Sequence, residues 1–291
     1  VSKARDLGSK TKRQGRFACD SAVLSLAPMT PTPIVDAHHR LDPVEAKVEL
    51  LRPLLVENNV ATTVIVQSEP SIETTKGALN LAGQTDFVGG VVAWVDVSSP
   101  DLEAVLEELC NNPKMKGVCL SAYREPDNHW LTRDATLAGL RLVEMRGLSV
   151  DVIAEPRLIP AVQDLALALP KLRIALAHIG SPFIARSERE PWGVYMLNLA
   201  PFRNVSVKLT GLVTMDTQPQ WSTAHLKLFV EPMVRLFGYE RMMFGSDWPN
   251  HSEVATYRQV MDAVVEAAGP MKDEQVSQVL GGTAALFYRI S

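Results

Sequence analysis

The sequence predicts an α/β fold, a single-domain (β/α)8 barrel of the TIM type with some distortion. Three observations point there. The chain has 291 residues, close to the length of one such barrel and long for one small core. From Ile34 onward, eight short apolar runs alternate with longer amphipathic stretches, and no Pro/Ser linker interrupts them. The short runs are mostly continuous rather than alternating, as parallel strands buried on both faces should be. A doubly wound sheet is the main rival, but no Gly-x-Gly-x-x-Gly or Walker loop follows the first strand.

The elements follow in order. "PIVDAH" reads as the first strand. The next stretch, "PVEAKVELLRPLLVENN", has helical spacing that Pro53 should kink or divide. "ATTVIVQ" is a β-branched strand, "ETTKGALNLAG" a weak helix and "FVGGVVAWVDV" a strand. In "SSPDLEAVLEELCNN", Ser99 and Pro100 open a helix whose Leu102, Val105, Leu106 and Leu109 fall at i, i+3, i+4 and i+7. "KGVCLSAY" is the fourth strand. The helix "TRDATLAGLRLVEMRG" ends at Gly147. Then come strand "LSVDVIAE", helix "PRLIPAVQDLALALP", strand "RIALAHIG" and a helical "EPWGVYMLNLAPF". "NVSVKLTGL", "STAHLKLFVEPMVRLFG" and "RMMFGSDWP" are strand, helix and last strand. Two helices, around Glu253 to Ala268 and Lys272 to Leu280, close the chain.

Composition excludes some functions. The chain is 46% hydrophobic and 21% charged, with a net charge of −4, so nothing favours nucleic acid or an anionic membrane as partner. No apolar run approaches the ~20 residues of a membrane span. Cys19, Cys110 and Cys119 are few, odd in number and without metal spacing, which suggests reduced thiols and a cytoplasmic setting. Residues 1–28 are basic and lack hydrophobic periodicity. They read as a disordered tail, a targeting segment or an upstream translation ahead of Met29, with the barrel domain over 29–291.

A barrel does its chemistry where its strands end. Polar groups gather there: Asp36, His38, His39 and Arg40 on the first strand, then Gln67 and Glu69, and Trp94 and Asp96. Further on come Ser121, Tyr123 and Arg124, then Asp151 and Glu155, His178, Lys208 and Thr210, and Ser246, Asp247 and Trp248. Each has a plainer reading. A lone histidine such as His178 in an apolar strand is more often a hydrogen-bonded core residue, and Asp247 reads as a turn or cap aspartate. Lys208 needs a partner such as Glu155 or Asp247 if it faces inward. His129, His225 and His251 read as surface residues, His251 being the first exception because it follows strand eight closely.

The first strand carries the sharpest question. Strand side chains alternate, so only residues two apart share a face. In "IVDAHHRLDP" the partner of His38 at that spacing is Arg40, not a second histidine.

The chain resembles the amidohydrolase-related lactonases, the amidohydrolase branch that opens sugar lactones and carboxylated lactones such as 2-pyrone-4,6-dicarboxylate. The resemblance spans nearly all of Ile34 to Ile290. It rests on "IVDAHHRLDP", "MKGVCLSAYREPDNHWL", "LSVDVIAEPRLIPAVQDLALALPKLRIALAHIGSP", "NVSVKLTGL", "FGYERMMFGSDWP" and "GGTAALFYRI". It implies a site at the barrel mouth with His38, His178 and Asp247 as catalytic residues. Arg40 departs from the pattern, because it stands where the second histidine belongs. A guanidinium cannot be deprotonated to bind metal. The expectation is therefore lactone hydrolysis without a cofactor, with Arg40, Tyr123, Arg124, Lys208 and Trp94 binding substrate. The alternative is one zinc or manganese ion on His38, His178, Asp247 and Glu155. A metal-dependent decarboxylase and a non-catalytic ligand-binding descendant are the other readings. A small-molecule lactone is the expected partner, with a homo-oligomer as the form left open.

Overall fold

The computed structural model describes residue 1 and residues 32–41, 44–216 and 220–290, the side chains of 44–47 and 124 excepted. Pro31–Ser291 forms one compact unit. The expectation for residues 1–28 falls almost wholly outside the described residues.

Eight parallel strands follow one another around the sheet in chain order, as the sequence predicts for a (β/α)8 barrel. They are β1 Ile34–His39, β2 Val60–Val66, β3 Val88–Ala93, β4 Met115–Ser121, β5 Ser149–Ile153, β6 Arg173–Leu176, β7 Val205–Leu209 and β8 Met242–Phe244. The helices between them are α1 Val44–Glu57, α2 Ile72–Gln84, α3 Leu102–Cys110, α4 Asp134–Met145, α5 Ile159–Ala168 and α6 Trp192–Leu199. The short α7 Leu212–Met215 and long α8 Thr223–Phe237 follow β7, and α9 Tyr257–Ala267, α10 Asp273–Ser277 and α11 Thr283–Tyr288 follow β8. The ring closes past the end of β8, where Asp247 N–H donates to His38 O and Arg40 N–H to Trp248 O, both at 2.8 Å.

Local chemistry sets the helix ends. Ser71 caps α2 by accepting the Thr74 N–H, and Thr256 and Gln259 form a reciprocal capping box that starts α9. That box places the start of α9 at Tyr257 rather than at Glu253 as expected; Asn250–Glu253 is a separate 3-10 turn. Pro53 does not divide α1. The carbonyl that loses its N–H partner belongs to exposed Glu49 and can turn to water.

The chain end differs most from expectation. The final predicted helix is α10 followed by a π-helical turn over Gln278–Gly282, and a further helix, α11, comes after it. A Cβ on Gly281 would lie 2.0 Å from Pro33 O, so only glycine lets this turn pack against the entry to β1.

Two layers of core result. Helices and outward-facing strand residues form the larger one. The barrel interior is filled by Val35, Ala37, Val64, Val66, Val92, Cys119, Ile153, Ala175, Ala177 and Met243, with Phe287 and Tyr288 of α11 against them. Lys208 lies in this interior, fully buried, and bonds to Asp151 and, at 2.6 Å, to Ala37 O. Its partner is thus Asp151, not Glu155 or Asp247. Tyr288 donates its hydroxyl to the same Asp151 carboxylate.

Candidate active site

The local path of β1 decides what enters the mouth. Between the pairs Asp36–Thr63 and His39–Ile65, β1 advances three residues while β2 advances two. That extra residue is a β-bulge. It breaks strict alternation, so Asp36 and His39 turn to the outer face while Ala37 and His38 turn inward. His39 Nε2 is 2.8 Å from Thr63 Oγ1 on β2. Burial lowers the His39 pKa to about 4. His39 is therefore a wall residue. Asp36 clasps the barrel seam: its carboxylate accepts Ser246 N–H and Oγ–H at 2.8 and 2.6 Å, and the Tyr257 hydroxyl at 2.8 Å.

His38, His178 and Asp247 converge. One ligand-capable atom from each lies within 4.8 Å of the other two. The two imidazole centroids are 4.9 Å apart, and His38 Nε2 is 3.9 Å from Asp247 Oδ1, too far for a hydrogen bond. Asn250 Nδ2 donates to that oxygen at 3.2 Å and helps hold the carboxylate. The backbone here is held in an uncommon region: His178 has φ 53°, Ile179 47° and Asp247 60°. Gly211 makes the approach feasible. It has φ +67°, and a Cβ there would sit 2.7 Å from His178 Nδ1 and 3.4 Å from Asp247 Oδ2.

The polar atoms at this point are largely unpaired. Both ring nitrogens of His38, Nδ1 of His178, Nε of Arg40 and Oγ1 of Thr210 are buried without a hydrogen-bond partner. Burial drives the His38 pKa well below the ordinary histidine value, and the charges of Lys208 and Arg40 push the same way. Burial also lowers His178, against the opposing charge of Asp247. Both rings are neutral near pH 7. Arg40 is half-buried, and its charge bears on His38, His178 and Cys119 together.

The remaining predicted residues are spread out. Trp94 is half-buried and lines a cavity of about 340 Å³ with Ser68, Asp96, Ser121, Glu125 and Trp130, at the ends of β2 to β4. Tyr123 packs against the barrel interior. The Arg124 side chain lies outside the described residues. Lys208 is under the site rather than in it. Glu155 is exposed and paired with Arg157 at 3.1 Å, away from the three donors, because its place after β5 turns it to solvent. His251 is buried, with Nδ1 2.9 Å from Ala255 O, and is not a surface residue. Sequence reading gave no role to Asp36, Asn250 or Gly211. The first was visible as a strand-end acid, but its clasp on Ser246 and Tyr257 joins distant segments.

Two imidazoles and a carboxylate thus meet at the mouth of a TIM barrel. The model of the amidohydrolase family matches residues 28–290, and the chain belongs to that family. Curated L-fucono-1,5-lactonase from Burkholderia ambifaria is 34% identical over 250 residues, 82% of this chain and 84% of that protein. An amidohydrolase from Burkholderia multivorans crystallised with zinc shares the fold at TM-score 0.80 and 24% identity, covering 89% of this chain and all of that one. A probable 2-pyrone-4,6-dicarboxylic acid hydrolase from Acinetobacter baumannii with bound citric acid matches at TM-score 0.73 and 17% identity, over 88% of this chain and 99% of that one.

Proposed function

We propose that the protein hydrolyses small lactones at the barrel mouth and needs no metal to do so. The observation that carries the reading is the convergence of His38, His178 and Asp247 with their polar atoms unpaired. Asp247 takes a proton from water as the water oxygen attacks the lactone carbonyl. A neutral imidazole keeps one N–H: His38 donates its own to the developing oxyanion, while His178, whose N–H is engaged by the Thr210 backbone, orients the attacking water with its free Nδ1 lone pair. Arg40 adds a fixed positive charge beside it. Collapse of the tetrahedral intermediate expels the ring oxygen, which takes the proton back from Asp247 and leaves a hydroxy acid.

The donor set also suits one divalent ion in kind, with two neutral imidazoles, one carboxylate and orphaned ring nitrogens. His38, His178 and Asp247 would hold it, and zinc or manganese there would supply Lewis acidity to the carbonyl. Arg40 supports the metal-free reading, since it brings a cation to the place a further ligand would occupy.

The cavity at the ends of β2 to β4 favours a sugar lactone. Trp94 and Trp130 offer apolar faces, and Asp96, Glu125, Ser98 and Ser121 offer partners for hydroxyl groups. A carboxylated lactone is the second reading, supported by the unpaired Arg40 Nε. The similarity to L-fucono-1,5-lactonase adds weight to the first. The free thiols Cys110 and Cys119 fit a cytoplasmic setting, and among the described residues no helix is long and apolar enough to cross a membrane.

Proton release by chelator-treated protein on a panel of sugar lactones and carboxylated lactones tests this. Turnover of a sugar lactone without added metal is expected. Turnover only after zinc or manganese is restored would overturn the metal-free part, and silence in both conditions would overturn lactone hydrolysis.

A further inference from the structure

A second chemical cluster stands on the connections after β6 and β7, with none of its residues in the His38 centre. Ser187 Oγ is 2.8 Å from His225 Nε2, and His225 Nδ1 is 3.0 Å from Asp216 Oδ1. A carboxylate only accepts, so the neutral ring carries its proton on Nδ1. Nε2 is then a lone pair facing the serine hydroxyl. Serine, imidazole and carboxylate in that line are the groups that activate a serine nucleophile.

Each member is held in place. Phe183 pairs antiparallel with Glu188, and Ser187 N–H donates to Ile184 O at 2.8 Å, so Ser187 sits in a tight hairpin. Its φ of 56° is uncommon for a residue other than glycine and turns its side chain outward, where it is exposed. His225 lies in the first turn of α8, its backbone N–H taken by Ser222 Oγ at 3.2 Å. Its ring meets the edge of Phe229 with centroids 6.1 Å apart. Asp216 is buried, and its second oxygen accepts Ser222 N–H at 3.3 Å. The same connections line a cavity of about 270 Å³, with Pro182, Phe183, Ala185 and Met215 as its apolar part and Glu155, Ser181, Arg186 and Thr214 as its polar part. The Arg186 guanidinium rests 5.3 Å from the Phe183 ring centroid.

A mere tie between two loops would not need an exposed hydroxyl aimed at a carboxylate-backed imidazole near a cavity. We propose that Ser187, His225 and Asp216 form a second nucleophilic centre that hydrolyses small uncharged carboxylic esters through an acyl-Ser187 intermediate. Ser187 Oγ bonds to the ester carbonyl carbon as its proton passes to His225 Nε2. Arg186 donates to the oxyanion. The tetrahedral adduct breaks its bond to the alkoxy oxygen, which leaves as the alcohol with the proton from His225. Water then attacks the acyl group, His225 takes its proton, and the acid departs as Ser187 recovers its hydrogen. The acyl chain lies along the apolar part of the cavity, against Phe183 and Met215.

The test uses the full chain, a fluorophosphonate probe with peptide mapping, and p-nitrophenyl acetate turnover. The proposal expects the adduct on Ser187. It expects Ser187→Ala and His225→Gln, each with unchanged circular dichroism, to lose the adduct and about 10²-fold or more of the ester turnover. Absence of adduct from Ser187 in the wild-type chain would overturn it. So would full ester turnover in Ser187→Ala, or undiminished labelling of Ser187 in His225→Gln. Because Ser187→Ala changes one exposed hydroxyl, misfolding would not hide the result.

Discussion

The floor of the barrel is shut off from water and the mouth only partly so, and the two treat polar groups in opposite ways. At the floor, Asp151, Lys208 and Tyr288 are buried, and they satisfy one another and the Ala37 carbonyl. At the mouth, His38, His178, Arg40 and Thr210 carry buried atoms with no partner. The floor spends its charges on holding the strands and α11 together. The mouth leaves its groups available, at a desolvation cost that a purely structural cluster would not bear. Burial and charge alone therefore do not mark a site; at the mouth the unpaired groups also converge, whereas the unpaired His39 Nδ1 and His251 Nε2 stand apart from that cluster. Lys208 joins the two regions, because its charge also helps keep His38 neutral.

Four substitutions sharpen or break that contrast. Lys208→Met should cost about 3–5 kcal/mol in urea unfolding, since it strands the buried Asp151 carboxylate. Adding Asp151→Asn should restore part of the loss, and an unchanged midpoint for the single variant would mean the floor pair is not structural. Asp247→Asn should do the reverse. Lactone turnover should fall by about 10²–10⁴-fold while the unfolding midpoint holds; near-normal rates would remove Asp247 from the chemistry. Tyr257→Phe takes one donor from Asp36 at the seam, and about 1.5–3 kcal/mol of stability should go with it. A larger fall in lactone kcat than in stability would show that the seam also aims Asp247.

Much of the molecule was legible from residue order. The eight strands and most helices followed from apolar runs and cap signals, and the strand-end positions of His38, His178 and Asp247 followed from the strands. The spacing of His38 and Arg40 raised the question of a shared face, and strand periodicity alone left the direction of Arg40 open. The bulge that sets His39 against Thr63 was not legible, because it depends on how many residues β2 offers opposite β1. The same holds for Lys208, whose need for a partner was plain while Asp151 was not among the candidates named. His225 read as a surface residue, since Ser187, 38 residues away, carries no local mark of a histidine partner.

The sequence by itself determined the strand-helix alternation, the family pattern and the set of polar groups at the strand ends. These rest on local periodicity and short motifs, which act within a few residues. Tertiary structure alone decided which of those groups meet, which stay unpaired and which are spent on the floor. Closing the ring brings β1 against the end of β8, and α11 against the barrel interior. A periodic pattern fixes the face a side chain takes, but the partner across that face comes from a distant segment only when the barrel closes.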